Sequence, residues 1–228
     1  MKKYKAVIFD LDNTLLNFDA AEEVALQMTF SSRGRELSEM ELELYRQIND
    51  KQWGRMQKKL QSKEETVVKR FEEFAEKINL TGHDAAEINA QFLRHVTEPV
   101  EFEPHALHVL QTLTQRGYKL ALLSNGIKSV QHVRLERSGL HQFFPVFVTS
   151  EETGWLKPDP RIFHETCARA KVKPSEAIYV GDSYEADVLG ARAAHMDVIW
   201  YQKKEATAPP DDRSVPVIDD LRQLLSIL

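Results

Sequence analysis

Cysteine is nearly absent from this sequence of 228 residues, and so is any long apolar run. The single cysteine, Cys167, excludes an internal disulfide and favours a reducing compartment. It shares a helical pattern with Ile162, Phe163 and Ala170, so we expect a buried small side chain rather than a nucleophile. The apolar run at residues 6–9 is too short for a secretory signal peptide, and no segment is long enough to span a membrane. We therefore expect a cytoplasmic protein without a membrane partner.

An excess of positive charge is also missing. The chain has 30 Lys and Arg against 35 Asp and Glu, which gives a net charge of -5. Such a protein is not expected to bind a nucleic acid polymer through its overall field, although a local positive site could bind a small anion. The length and the hydrophobic share of 42% suit one large domain, or a core domain with a smaller insert.

Short apolar runs predict buried parallel strands at residues 6–9, 120–123, 178–180 and 198–201, with a weaker fifth at 146–148. None alternates polar with apolar residues, which indicates that both faces of the sheet are covered. Helical patterns lie between the runs, on Ala106, Leu107, Leu110 and Leu113 before Gly117, and on Val130 and Val133 before Gly139. This alternation predicts a doubly wound α/β core, Rossmann-like, with a parallel sheet.

Residues 17–98 break the alternation, because only helix signals occur there. A Ser or Asp stands three residues before a Glu, as in a helix N-cap, at Ser38, Ser62 and Asp84. Two apolar helix faces follow from the spacing of Trp53, Met56 and Leu60, and of Val67, Phe71, Phe74 and Ile78. We predict a helical cap domain at 17–98 and a catalytic core formed by 1–16 and 99–228, with hinges near 16–19 and 98–103.

Three of the predicted strands end in a side chain that could bind phosphate or a metal ion: Asp10, Ser124 and Asp182. Because the carboxyl ends of parallel strands meet at one edge, where open α/β sheets bind ligands, we expect these groups to lie together. Asp12 stands two residues after Asp10. Two carboxylates at ~4 Å repel by about 4 kcal/mol at an effective dielectric of about 20. A positive group should therefore share this edge.

Lys157 is the candidate for that positive charge. It precedes Pro158, which favours an extended backbone, and its ammonium could neutralise both a phosphate and the aspartates. Carboxylates from Asp10 and Asp182 suit Mg²⁺, which takes one or two carboxylates plus a substrate phosphate, and Asp187 could brace the site. Each residue alone has a plainer explanation, as a turn aspartate, a turn serine, a surface lysine or a first-turn aspartate. The joint pattern favours a phosphate site.

The order Asp-x-Asp-x-Thr, strand-ending Ser, Lys-Pro and Gly-Asp-x-x-x-x-Asp resembles the haloacid dehalogenase (HAD) superfamily along essentially the whole chain. The resemblance implies that Asp10 attacks phosphorus and becomes a phosphoaspartate. It implies that Asp12 protonates the leaving oxygen and later activates water, and that the helical insert is a C1-type cap. The chemistry agrees with this reading, because covalent catalysis splits a difficult displacement into two easier steps.

The same resemblance implies binding roles for the remaining motif residues. The phosphoryl group would be held by Ser124, Asn125 and Lys157. Mg²⁺ would be bound by Asp10, the backbone carbonyl of Asp12 and Asp182, with Asp187 and Thr14 in support. The predicted activity is Mg²⁺-dependent hydrolysis of a small organic phosphomonoester.

A finer resemblance concerns the substrate. Residues 124–126, 131–140, 150–154, 157–158 and 161–163 are similar to the bacterial house-cleaning pyrimidine 5′-nucleotidases of this superfamily. This similarity implies nucleoside 5′-monophosphates as substrates, with pyrimidine bases preferred. A sugar-phosphate or phosphoglycolate phosphatase and a hexose-phosphate mutase stay open. Asp12 argues against a dehalogenase. A receiver-like phosphate switch is disfavoured because receivers are shorter, have no inserted cap and lack an acid/base residue after the acceptor. The sequence leaves monomer and homodimer undecided.

Overall fold

The computed structural model describes residues 3–203 and 214–228. The chain divides into two compact units. The first, which we call the core unit, consists of Met1–Phe18 and Val100–Leu228, and the second, the helical unit, is Asp19–Pro99. Among the described residues, no helix combines the length and the apolar character that crossing a membrane requires.

The described part of the core unit contains a six-stranded sheet in the order β3-β2-β1-β4-β5-β6. The strands are β1 (Ala6–Phe9), β2 (Lys119–Ser124), β3 (Val146–Thr149), β4 (Ala177–Gly181), β5 (Asp197–Tyr201) and β6 (Val217–Ile218). All neighbours are parallel, and Phe9 in the central strand is paired with Leu122 on one side and Val180 on the other. The predicted doubly wound α/β fold is confirmed. The two-residue strand β6 was not predicted, because so short an edge strand leaves no pattern in the sequence.

Helices cover both faces of this sheet. They are α5 (Ala106–Gln115), α6 (Lys128–Arg137), α7 (Ser150–Thr153), α8 (Pro160–Ala170), α9 (Leu189–Ala193) and α10 (Leu224–Ile227). Successive residues of a strand point to opposite faces, so Val7 packs in one buried cluster with Val109 of α5, and Ile8 in another with Ile162 of α8. Each such side chain stabilises the fold by roughly 1.5–3 kcal/mol.

The helical unit is formed by four helices: α1 (Phe18–Ser31), which starts at the last residue of the core unit, α2 (Glu39–Gln57), α3 (Lys63–Lys77) and α4 (Ala85–His95). Reciprocal capping boxes start α2 at Ser38 and α3 at Ser62, as the sequence predicts. Asp84 caps α4 by accepting a hydrogen bond from the N–H of Ala86, at 2.8 Å.

Aromatic rings make up much of the interior of the helical unit. Ring contacts at centroid distances of 5.3–6.1 Å connect Phe30, Tyr45, Phe71, Phe74 and Phe92. The predicted face of Val67, Phe71, Phe74 and Ile78 is buried. The face predicted through Trp53, Met56 and Leu60 is wrong at its end: α2 stops at Gln57, and Leu60 is 61% exposed in the turn that follows.

The two segments that connect the core unit to residues 19–99 lie side by side. Leu16 forms an antiparallel bridge with Phe102. The N–H of Asn17 donates to the carbonyl of Glu101 at 2.9 Å, and the N–H of Glu103 donates to the carbonyl of Leu15 at 2.9 Å. The chain therefore leaves the core unit and returns to it at one place. That these segments act as hinges stays a prediction.

Candidate active site

Lys157 supplies the buried positive charge at the carboxyl edge of the sheet. Its Nζ donates to Asp10 Oδ1 at 2.6 Å, to Asp187 Oδ1 at 2.7 Å and to the Tyr179 hydroxyl at 3.0 Å. Burial acts to lower the pKa of Lys157, but the two carboxylates outweigh it and hold that pKa above its ordinary value. The ammonium therefore stays charged while it is enclosed by the protein.

Asn125 holds the backbone that presents this lysine. Its Oδ1 accepts a hydrogen bond from the N–H of Lys157 at 2.8 Å, and its Nδ2 donates to the carbonyl of Lys157 at 2.9 Å. The side chain, predicted to bind phosphate, thus ties the end of β2 to the Lys157 segment. Phosphate binding by Asn125 stays a prediction.

Asp10 follows β1 directly, and its N–H donates to the carbonyl of Val180 in β4 at 2.9 Å. The side chain is buried, and burial raises the pKa of its carboxyl to about 7, with Lys157 opposing the shift and Asp187 and Asp12 adding to it. The ionised form of Asp10 therefore needs more positive charge nearby than Lys157 alone provides.

Three carboxylates meet here, because Asp10, Asp182 and Asp187 each offer an oxygen within 4.8 Å of the others. The pKa of Asp182 is raised well above its ordinary value, mainly by burial and to a smaller extent by repulsion from Asp10 and Asp187. Asp187 is already engaged: Oδ1 accepts from Lys157 and from the Tyr179 hydroxyl, and Oδ2 accepts from the N–H of Ser183 at 3.0 Å. This set of hard oxygen donors with surplus negative charge fits Mg²⁺. That Asp10 and Asp182 bind the ion and that Asp187 braces them stays a prediction.

Asp12 contacts helix α6 through its side chain. Its two carboxylate oxygens accept hydrogen bonds from Gln131 Nε2 and from Arg134 Nη1. Gln131 Nε2 also donates to Ser124 Oγ at 2.9 Å. Asp12 and Ser124, the predicted acid/base and phosphate ligand, are thus joined by one amide side chain.

Gln131 and Arg134 lie in the stretch that resembles the pyrimidine 5′-nucleotidases, but the sequence indicated no individual role for either. The apolar pair Val130 and Val133 suggested the inner face of α6, but Val133 is 36% exposed. The buried residues of this helix are Gln131, Arg134 and Leu135. Their spacing of three and one matches a helical face. The helix also follows the strand that ends in Ser124. The sequence therefore did contain a pattern for the inner face of α6, but polar rather than apolar residues formed it.

Thr14, predicted to support the site, and Cys167, predicted to be a core residue, are both buried. Thr14 has no exposed surface, and within the described part of the chain its Oγ1 has no hydrogen-bond partner, so its supporting role stays a prediction. Cys167 packs in the cluster beneath the sheet with Phe163, and burial raises the pKa of its thiol to about 12. Cys167 is therefore a small core residue, as expected, and not a nucleophile.

A family model for haloacid dehalogenase-like hydrolases matches residues 7–201. The chain belongs to this HAD-like hydrolase family. It is 33% identical to the pyrimidine 5′-nucleotidase PynA of Streptococcus pneumoniae, over 87% of this chain and 84% of that protein. It is 32% identical to the glyceraldehyde 3-phosphate phosphatase of Methanopyrus kandleri, over 98% of this chain and 97% of that protein.

Solved HAD structures resemble the whole chain. The crystal structure of the HAD-hydrolase YfnB of Bacillus subtilis bound to magnesium superposes with a TM-score of 0.90, at 28% identity, and covers 100% of this chain and 99% of that one. The predicted HAD membership is confirmed, and pyrimidine 5′-nucleotidases are among the relatives of this chain.

Proposed function

We propose that this HAD hydrolase removes phosphate from small organic monophosphates through an aspartyl phosphate on Asp10, with Mg²⁺ as its cofactor. The observation that carries the proposal is the Lys157 ammonium held between Asp10 and Asp187, with the Asp182 carboxylate beside them. One buried cation against three carboxylates leaves an edge that accommodates a divalent ion together with a phosphate group, since phosphoryl transfer needs mostly positioning and charge neutralisation.

In the first step a carboxylate oxygen of Asp10 attacks phosphorus. A P–O bond to Asp10 forms while the P–O bond to the leaving alcohol breaks. Asp12 gives its proton to the departing oxygen, and Lys157 and Ser124 hold the phosphoryl oxygens. General acid assistance of this kind is worth roughly 10²- to 10⁴-fold.

In the second step a water molecule attacks the phosphorus of the aspartyl phosphate. Asp12 takes a proton from this water, the P–O bond to Asp10 breaks, and inorganic phosphate leaves. Asp10 returns as a carboxylate and Asp12 is protonated again, so no other reactant is consumed.

The ion would be held by Asp10, Asp182 and the backbone carbonyl of Asp12, with Asp187 and Thr14 in support. When bound, Mg²⁺ supplies the positive charge that lets an anionic phosphate approach the Asp10 carboxylate. Lys157 alone leaves this part of the protein with a surplus of negative charge, as the raised pKa values of Asp10 and Asp182 indicate.

For the substrate, we propose nucleoside 5′-monophosphates with pyrimidine bases preferred, and we propose that the helical unit serves as the cap that restricts access to small molecules. The similarity to PynA supports this choice. A sugar phosphate is the second candidate, because the glyceraldehyde 3-phosphate phosphatase of Methanopyrus kandleri is about as similar and matches more of this chain.

A panel of substrates tests both the proposed phosphatase activity and the proposed preference for pyrimidine nucleotides. Purified protein with one fixed Mg²⁺ concentration would be assayed for phosphate release from dUMP, dTMP, UMP, AMP, glyceraldehyde 3-phosphate, a hexose phosphate and phosphoglycolate. We expect the highest kcat/KM on a pyrimidine nucleotide. A sugar phosphate or phosphoglycolate that is better than every nucleotide by about tenfold, a difference of about 1.4 kcal/mol, would overturn the nucleotidase proposal. Absence of phosphate release from any of these compounds would overturn the phosphatase proposal.

A further inference from the structure

Helix α6 presents two polar side chains, one turn apart, to the same carboxylate. Arg134 Nη1 donates to Asp12 Oδ1, and Gln131 Nε2 donates to Asp12 Oδ2. Arg134 Nη1 also donates to Gln131 Oε1 at 3.0 Å, so the three side chains form a closed ring of hydrogen bonds. Both donors are buried, with exposures of 2% for Gln131 and 1% for Arg134.

We propose that Gln131 and Arg134 are positioning residues for phosphoryl transfer, which fix the Asp12 carboxylate beside Ser124 and set the direction in which the Ser124 hydroxyl donates. This inference rests on the proposed function, because it assigns the two residues a role through Asp12 and Ser124. Neither residue is proposed to touch phosphorus or to exchange a proton.

The carboxylate of Asp12 is fixed because each of its oxygens has its own donor. Asp12 lies in the turn beyond β1, where a lone side chain could rotate, whereas Gln131 and Arg134 project from a helix and hold the carboxylate plane at two points. An ionised carboxylate has about four lone-pair sites, so each oxygen keeps a second site for proton exchange with a leaving group or with water. The ring therefore holds Asp12 in place without blocking its chemistry.

The direction in which the Ser124 hydroxyl donates is set by the hydrogen bonds that its oxygen accepts. Ser124 Oγ accepts from Gln131 Nε2 at 2.9 Å and from the N–H of Gly126 at 3.0 Å. A hydroxyl oxygen has two lone pairs, so with both occupied the Ser124 O–H proton must point to a third group. A phosphoryl oxygen is such an acceptor. Gly126 makes room for this arrangement, since a Cβ at this position would lie 2.2 Å from Gln131 Nε2.

The burial of Arg134 supports a role beyond stability. Its guanidinium lies 5.1 Å from the centre of the Phe18 ring, and within the described residues its Nε has no hydrogen-bond partner. A buried charge with an incomplete set of partners costs stability that an apolar side chain of similar volume would not cost. The hydrogen bonds that Arg134 donates to Asp12 and Gln131 account for an arginine at this buried position.

A double-mutant cycle tests whether Arg134 acts through Asp12. We would measure kcat and KM on p-nitrophenyl phosphate for the wild type, Arg134→Met, Asp12→Asn and the double variant. Because a misplacement of ~1 Å can cost roughly 10²-fold, Arg134→Met should lower kcat by about 10- to 100-fold with KM changed less than about threefold. In the Asp12→Asn background the same change should have less than about a twofold effect. Equal losses in the two backgrounds would overturn the proposal, because they would indicate a general structural role.

Gln131→Met removes the amide group while the side chain keeps nearly the same length. It tests the second part of the inference, that Gln131 sets the direction of the Ser124 hydroxyl. It should raise KM as well as lower kcat, because Ser124 loses a donor, and the rise in KM should disappear in a Ser124→Ala background. A rise in KM that persists there would contradict the role assigned to Gln131. Arg137→Met, at an exposed arginine on the same helix, is the matched control and should leave both constants unchanged.

Crystal structures separate this inference from the proposed function, since they require no activity. In Arg134→Met the Asp12 carboxylate should move by about 1 Å or more from its wild-type position. An unmoved carboxylate overturns the positioning role even if the enzyme is a phosphatase. A wild type that releases no phosphate overturns the proposed function and the catalytic purpose of the ring, while the displacement of Asp12 still shows whether Arg134 places it. If Arg134→Met does not fold, Arg134→Lys keeps the charge, loses the forked donor and should show the same displacement.

Discussion

The Asp187 carboxylate occupies the space that a side chain at residue 181 would fill: a Cβ on Gly181 would lie 2.3 Å from Asp187 Oδ2. Asp187 is fully buried in the single turn Tyr184–Val188, and from there it reaches Lys157 and the N–H of Ser183. The glycine at the end of β4 is therefore required by the approach of Asp187 rather than by its own backbone conformation.

Gly181→Ala should push Asp187 away from Lys157. We expect a loss of roughly 10²-fold in kcat, because Lys157 loses one of the two carboxylates that place it, together with a lower melting temperature. Gly54→Ala is the matched control: among the described residues, no atom lies within 4 Å of a Cβ at this position, and alanine within helix α2 should stabilise the protein by about 0.5–1 kcal/mol. A Gly181→Ala protein with wild-type activity and melting temperature would contradict this account.

Asp10→Asn should abolish turnover and leave the fold intact. The amide is nearly isosteric with the carboxylate but is a very poor nucleophile, so we expect a loss on the order of 10³-fold or more, and no phosphoprotein in intact-mass spectra after exposure to substrate. Circular dichroism would verify that the variant is folded. Phosphate release close to the wild-type rate would refute covalent catalysis by Asp10.

Removal of divalent ions should stop the reaction reversibly. With excess chelator, Asp10, Asp182 and an incoming phosphate repel one another, and Lys157 alone does not offset that repulsion. Activity should fall to the background level and return when Mg²⁺ is added beyond the chelator. Ca²⁺ at the same concentration serves as the comparison, because it prefers longer bonds and more ligands. Full turnover in metal-free buffer would require a different chemistry.

Glu22 should make the stability of the helical unit depend on pH. Burial raises the pKa of its carboxyl to about 8, with Asp19 and Asp50 adding to the shift and Arg70 opposing it, and its Oε1 has no hydrogen-bond partner among the described residues. Between pH 4.5 and 8 the folded state holds this proton while the unfolded state releases it. The contribution of Glu22 to the free energy of unfolding is therefore fully present below this window. It is lost as pH rises through the window, by up to about 1.4 kcal/mol per pH unit.

Glu22→Gln isolates this effect. Urea unfolding followed by circular dichroism at several values from pH 5 to pH 8 should show the variant gaining stability relative to the wild type as pH rises. Glu72→Gln, at an exposed position in α3, is the control and should show no such trend. A constant difference between Glu22→Gln and wild type across the range would contradict a protonated Glu22.

The sheet could be predicted because its strands are both buried and short. Every residue of β1 is buried, so the run Ala6–Phe9 stands out against its polar neighbours, and the structure gives it the same bounds. The candidate site could be located for a related reason, since parallel strands place their carboxyl ends together and Asp10 and Asp182 follow two adjacent strands.

The partners of these residues could not be predicted. A hydrogen bond from Gln131 to Asp12 spans 119 positions, and nothing in the local sequence of either residue indicates the other. Tyr179, which contacts Lys157, has the appearance of an ordinary strand residue. The end of α2 was misjudged because Leu60 continues the apolar spacing, whereas the chain turns at Lys59, which has a φ of 59°.

The paired segments around Leu16 and Phe102 bear on how such a chain can change over evolution. Since Asn17 and Glu101 are joined by a backbone hydrogen bond of 2.9 Å, the 81 residues of Asp19–Pro99 are attached at two points that already touch. A segment attached in this way can be lengthened, shortened or exchanged for another without any change in the order of the strands. Variation can therefore accumulate in one part of the gene while the carboxylates and the lysine of the sheet edge are inherited unchanged.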